Sequence, residues 1–266
     1  MKLACVDLIA PGISLEEKMS YLAKYGFEGI EIWLMEEEDL DAKAKEINEA
    51  AESYKIKPSA VVISGPASVS PLDSEENIEA RKKLIKDSLY LASKIGSITF
   101  AAMMEDPRSI VPIFEKDKPS DYEKKLLIDF LRDVGRYADD VGATLALEPV
   151  NRYETHFFNT LAEAVEICRE VGCENIKVMA DTCEMNFEEK DISKAIEDAQ
   201  DYLCYVHLSE NNRLLPGYGH IDFRQIFSVL KRIGYNGYMS LECAVPENKP
   251  EEELPKCVEY LKKCME

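Results

Sequence analysis

Short runs of apolar residues alternate along the whole chain with longer stretches in which apolar positions recur at helical spacing. The runs are KLACVDL (2–8), FEGIEIW (27–33), PSAVVIS (58–64), SITFAAMM (97–104), ATLALE (143–148), IKVMAD (176–181), LCYVHL (203–208) and YMSLEC (238–243). Their near-continuous apolar character fits strands buried on both faces, as in a parallel sheet. Between and after them, 14–24, 39–54, 75–95, 121–141, 160–171, 223–233 and 251–264 read as amphipathic helices, with 189–200 a weaker one. Ser14 with Glu17 forms a capping-box pattern, and Asp222 is placed to cap the helix that starts at Phe223. Gly26, Gly96, Gly142, Gly172 and Gly234 fall where helices should stop. Eight strands alternating with about eight helices predict an α/β protein with one (β/α)8 TIM barrel spanning 1–266. The longer connections, roughly 65–74, 104–120 and 209–222, follow the third, fourth and seventh strands. Barrels build active-site walls from such loops.

That pattern gives four polar residues a common address. Glu148, Asp181, His207 and Glu242 lie at or near the ends of the last four runs, 33, 26 and 35 residues apart, about one βα repeat each. In a parallel barrel all four side chains emerge at the same mouth. A single acid there needs no function, since strand ends require polar caps. Three acids gathered at one mouth repel one another unless a cation sits among them. Three carboxylates and one imidazole suit a divalent cation: Mn²⁺ first, with Mg²⁺, Co²⁺ and Zn²⁺ as alternatives. Such an ion can polarise a carbonyl beside a hydroxyl-bearing carbon and stabilise the enediolate left when that carbon loses its proton. Glu148 and Glu242, from the fifth and eighth strands, can then serve as base and acid on opposite sides, while Asp181 and His207 chiefly hold the ion.

Other residues have a plain reading beside a functional one. Trp33 can stack on a sugar face, and Glu31 precedes it by one inward step; for both, a core or rim role is as good an account. His220 orders its loop or touches substrate. His156 reads as a loop residue or a support for the site, Phe157 and Phe158 as packing or an oligomer contact, and the run Glu36–Glu37–Glu38–Asp39 as a solvated helix start.

Charge narrows the partners. With 32 basic against 51 acidic residues the net charge is −19, which disfavours nucleic acid and anionic membranes and leaves a small neutral substrate open. No segment approaches the roughly 20 apolar residues of a membrane span, and the N-terminal apolar run is short for a secretion signal. Eight scattered cysteines without a C-x-x-C pair read as reduced thiols, favouring the cytoplasm.

The segments LALEPVNRYETHFFNT, KVMADTCEMNFEE, YVHLSENNRLLPGYGHIDF and GYMSLE resemble the xylose isomerase-like TIM-barrel superfamily. Within it they are most similar to the D-tagatose/D-psicose 3-epimerase branch, strongly from about 143 to 245. The resemblance implies that Glu148 is both ligand and base, that Glu242 is the second glutamate, that Asp181 and His207 complete the metal set, and that Glu154 and Arg213 bind substrate. The chain departs at one place: where the branch usually reads DTFHMN, with a histidine contacting the sugar, it reads DTCEMN and offers Glu184. A carboxylate accepts where an imidazole can donate. The resemblance therefore implies metal-dependent epimerisation of a keto-sugar or polyol ketone, at C3 first. Aldose–ketose or hydroxypyruvate-type isomerisation, inosose dehydration and 3-keto-glycoside cleavage stay open. A three-zinc abasic-site nuclease would need more than the three histidines present. A metal-bearing subunit of a hetero-oligomer remains an alternative, and homo-dimers or homo-tetramers are what the resemblance implies.

Overall fold

The computed structural model describes residues 1–34, 39–63, 73–103 and 118–266. In chain order the elements are β1 (Lys2–Val6), α1 (Leu15–Tyr25), β2 (Gly29–Leu34), α2 (Leu40–Tyr54), β3 (Lys57–Ile63), α3 (Glu75–Ile95), β4 (Ile98–Ala102), α4 (Asp121–Val141) and β5 (Leu145–Glu148). There follow α5 (Leu161–Val171), β6 (Ile176–Asp181), α6 (Thr182–Glu188), α7 (Ile192–Asp198), β7 (Leu203–Leu208), α8 (Phe223–Arg232), β8 (Tyr238–Leu241) and α9 (Pro250–Met265). Each strand pairs in parallel with its sequence neighbour, and β1 closes on β8, giving an eight-stranded barrel.

Strand alternation sorts side chains into two cores. Ile30, Ile32, Leu145, Leu147, Val178, Val206, Leu208 and Leu241 point outward and pack under the helices, in one cluster with Ile47, Leu89, Leu131 and Phe227. The intervening residues face the barrel axis, where Val6, Ala60, Val62, Phe100, Ala146, Met179 and Tyr205 form a smaller cluster. The helices form at the expected stops and starts. Ser14 and Glu17 make the reciprocal capping box, Asp222 accepts from the Gln225 amide, and α1 ends at Gly26 with φ 90°, a left-handed conformation that glycine adopts without steric cost.

One helix departs from the sequence reading. The DTCEMN stretch, outside the helices that periodicity predicts, is the start of α6, which follows β6 without a break. Its seven residues are too few to show helical periodicity. The weaker helix at 189–200 shortens to α7, and the acidic run contributes Asp39, the N-cap of α2. Glu36, Glu37, Glu38 and most of the connections at 65–74 and 104–120 lie outside the described residues. Among the described residues no helix is long and apolar enough to cross a membrane.

Candidate metal centre at the barrel mouth

The inward register of each late strand runs on into a polar residue. Ala146 is followed two positions later by Glu148, Met179 by Asp181, Tyr205 by His207 and Ser240 by Glu242, so all four emerge inside the rim at the C-terminal end. One donor atom from each lies within 4.8 Å of the others. His207 Nδ1 faces Glu242 Oε2 at 3.4 Å, Glu148 Oε1 at 3.6 Å and Asp181 Oδ2 at 3.7 Å. That nitrogen is buried and makes no hydrogen bond. A buried, unpartnered imidazole nitrogen ringed by three carboxylates is an arrangement a divalent cation completes, so the donor set fits the ion expected from sequence.

Asp181 divides its oxygens between two duties. Oδ1 accepts from the amides of Cys183 (2.7 Å) and Glu184 (3.2 Å), capping α6, while Oδ2 turns toward His207 and accepts from Arg213 Nη1 at 2.6 Å. Arg213 has a left-handed φ of 62°, uncommon for a residue with a side chain and a mark of a position fixed by its surroundings. Its amide donates to the Glu210 carbonyl and its own carbonyl accepts from the Ala244 amide. From there the guanidinium also reaches Glu242 Oε2 (3.4 Å) and donates to Glu184 Oε1 (2.9 Å). Glu184 is 2% exposed, and its second oxygen accepts from the Asn151 amide (2.8 Å) and Nδ2 (2.7 Å). Asn151 Nδ2 also donates to Glu154 Oε1 at 2.8 Å. The structure thus joins Glu184, Arg213 and Glu154 to the candidate ligands in one network.

Charges in this pocket respond strongly to one another. Burial, reinforced by Glu242 and Asp181 and opposed by His207, pushes the Glu148 carboxyl up to about 7. Burial likewise raises Asp181, but Arg213 and His207 outweigh it and hold that carboxyl at about 2. Glu184 is pushed up to about 7 by burial and the nearby Asp181 charge, against Arg213. Burial disfavours the His207 cation, yet Glu31 and Glu242, with Asp181 and Glu148, keep its pKa well above that of ordinary histidine. The pocket favours positive charge.

Beneath the ligands lies a feature the sequence reading left as core or rim. Glu31 Oε2 meets His207 Nε2 at 3.0 Å and accepts from the Tyr205 hydroxyl at 2.9 Å. The only signal for it along the chain was its place one inward step before Trp33. Trp33 is half-buried against the inner cluster. His220 is exposed and lines a surface cavity of about 330 Å³ with Asn186, Lys190 and Gln225, rather than joining the ligand cluster. His156 packs on Phe157 and lies 3.5 Å from Glu123, while Phe157 and Phe158 are core residues at 3% and 1% exposure.

The chain as a whole is similar to known sugar enzymes. The family described as xylose isomerase-like TIM barrel matches residues 19–264. A 3-dehydro-D-guloside 4-epimerase of Escherichia coli (strain K12) is 30% identical across 71% of this chain and 69% of that protein. A D-psicose 3-epimerase of Agrobacterium fabrum is 32% identical across 83% of this chain and 76% of that protein. Among solved structures, that of a 3-keto-D-glucoside 4-epimerase from E. coli superposes with a TM-score of 0.88 at 25% identity, covering 99% of this chain and 100% of that one.

Proposed function

Since this chain belongs to the xylose isomerase-like TIM-barrel family, we propose that it is a divalent-metal-dependent sugar epimerase inverting the carbon next to a ketone. Its relatives are epimerases, and the chain is an isomerase of that kind. The observation that carries the metal and the chemistry is the convergence of Glu148, Asp181, His207 and Glu242 donor atoms within 4.8 Å around the unpartnered His207 Nδ1. When bound, the ion would polarise the substrate ketone and stabilise the negative charge that follows loss of the neighbouring proton.

The protein's own residues supply the rest. Each glutamate carboxylate has two oxygens, so Glu148 and Glu242 can hold the ion with one and face substrate with the other. Glu148 removes the proton from one side of the carbon, and Glu242 delivers one to the opposite side. Asp181 and His207 hold the ion, and Arg213, locked by Glu184, offers fixed donors to a substrate oxygen. Glu154 and Trp33 are proposed to contact the sugar further out, whereas His220, on its separate surface cavity, is not.

The first substrate class is a free 2-ketose epimerised at C3. A 3-keto-glycoside epimerised at C4 is the second, favoured by Glu184, which replaces the branch's imidazole donor with an acceptor already held by Arg213 and Asn151. Both share one chemistry: proton exchange beside a carbonyl. The test is incubation of Mn²⁺-loaded protein with ketoses and 3-keto-glycosides in D₂O, followed by metal removal and NMR. Deuterium at one carbon, entering about 10²–10⁴-fold more slowly in Glu148→Gln, is the expected result, and the labelled carbon identifies the substrate class. Stoichiometric Mn²⁺ without exchange in any substrate would overturn the epimerase reading.

A further inference from the structure

The proton transfers proposed above leave one buried acid unused. Glu31 is 0% exposed, and its Oε2 takes both hydrogen bonds described above, from Tyr205 and with His207, while its Oε1 makes none. The Tyr205 hydroxyl is in turn 2.8 Å from Ser59 Oγ. Removing a carboxylate from water is costly, and a purely structural network would satisfy both oxygens. Here the hydrogen bonding is concentrated on the oxygen that meets His207.

Two irregularities in the barrel point to the same spot. The β2–β3 register steps from Ile30/Pro58 to Glu31/Ala60, leaving Ser59 as an extra residue opposite Glu31. The β6–β7 register steps from Val178/Leu203 to Met179/Tyr205, leaving Cys204 as another. A one-residue slip exchanges the two faces of a strand. The second bulge therefore sets the phase in which Tyr205 and His207 both point inward, and the first brings Ser59 within reach of Tyr205. Phe100 meets the imidazole edge-on at 4.9 Å between ring centroids, further fixing its plane.

We propose that Glu31 is a positioning residue: it accepts the Nε2 proton of His207, fixes that tautomer and turns the Nδ1 lone pair toward the divalent cation. The inference rests on the reading of the four-residue cluster as a metal centre. The two ring nitrogens face different partners, Nε2 toward Glu31 and Nδ1 toward Glu148, Asp181 and Glu242. Only one neutral tautomer serves both. Positioning requires an acceptor at residue 31, whereas a mere counter-charge requires an anion. Glutamine and methionine separate the two.

The experiment measures Mn²⁺ affinity of the full chain as native, Glu31→Gln and Glu31→Met, with circular dichroism to verify folding. Glu31→Met should bind about 10–100-fold more weakly, the range seen when such supporting partners are lost, and Glu31→Gln should lose much less. The chain has three histidines, so ¹⁵N-histidine NMR of the Mg²⁺-loaded protein can report the tautomer directly. The His207 proton should sit on Nε2, protected from exchange in the native chain and unprotected in Glu31→Met. Equal affinity in native and Met proteins, equal losses in Gln and Met, or the proton on Nδ1 would each overturn the inference. If Glu31→Met fails to fold, the native tautomer and the Gln affinity still decide. Failure of the native chain to bind Mn²⁺ would instead remove the metal reading itself, and this inference with it.

Discussion

The barrel interior and the layer between barrel and helices are built from alternate residues of the same strands, yet they differ in content. The outer layer is continuous aliphatic and aromatic packing, from Ile30 and Leu147 on the strands to Leu131 and Phe227 on the helices. The inner cluster is small and gives way, toward the C-terminal mouth, to Glu31, Glu148, Asp181 and His207, all buried. Apolar burial scales with area, so most folding free energy resides in the outer layer. That layer can sustain an interior in which buried acids repel one another, and the interior is left free to concentrate charge around a cation.

The comparison can be broken most directly from the inside. Glu148→Gln should cut isotope exchange by about 10²–10⁴-fold, the usual contribution of a positioned acid or base, with little loss of fold by circular dichroism. Next comes the opposite perturbation. Phe227→Ala, at a fully buried position on α8, should lower unfolding free energy by about 3–5 kcal/mol in urea titration, while the folded fraction keeps its Mn²⁺ affinity. Unequal Mn²⁺ affinities would show that the two layers are not separable. Chelating the ion from protein kept in free Mn²⁺ at 100 times the dissociation constant should cost about 2.7 kcal/mol, read as a lowered melting temperature. The smallest effect is expected at the rim of the outer layer, where Ser14→Ala removes the capping box of α1 and should cost about 1 kcal/mol without changing isotope exchange.

How far these features were legible along the chain depends on the range of the interaction that makes them. The strands and most helices were readable because apolar runs, caps and terminal glycines are local signals. The four clustered residues were readable because each lies at or next to the end of its own strand, so periodicity alone placed them at one mouth. Glu31 was not readable as a partner of His207, since the contact crosses the barrel between residues 176 positions apart and depends on a bulge at Cys204 that leaves no compositional trace. Helix α6 escaped for a different reason: its seven residues are too few to show helical periodicity, and its N-cap, Asp181, also ends a strand. Glu184 was recognisable as a departure from DTFHMN, but its bonds to Asn151 and Arg213 required the fold.

The two-oxygen arrangement at Asp181 limits what can replace it. Asparagine has one side-chain oxygen: aimed at the Cys183 and Glu184 amides it leaves an amide nitrogen where the cation belongs, and aimed at the cation it turns the nitrogen toward those amides. Glutamate would keep the charge, but its extra methylene would pull the carboxylate out of register with the helix end. Serine or threonine would retain a cap and lose the anion. Of the common side chains only aspartate combines the short reach with two equivalent, separately aimed acceptors. A substitution scan at this position should therefore tolerate one letter, although the other two acids of the cluster, Glu148 and Glu242, are one methylene longer.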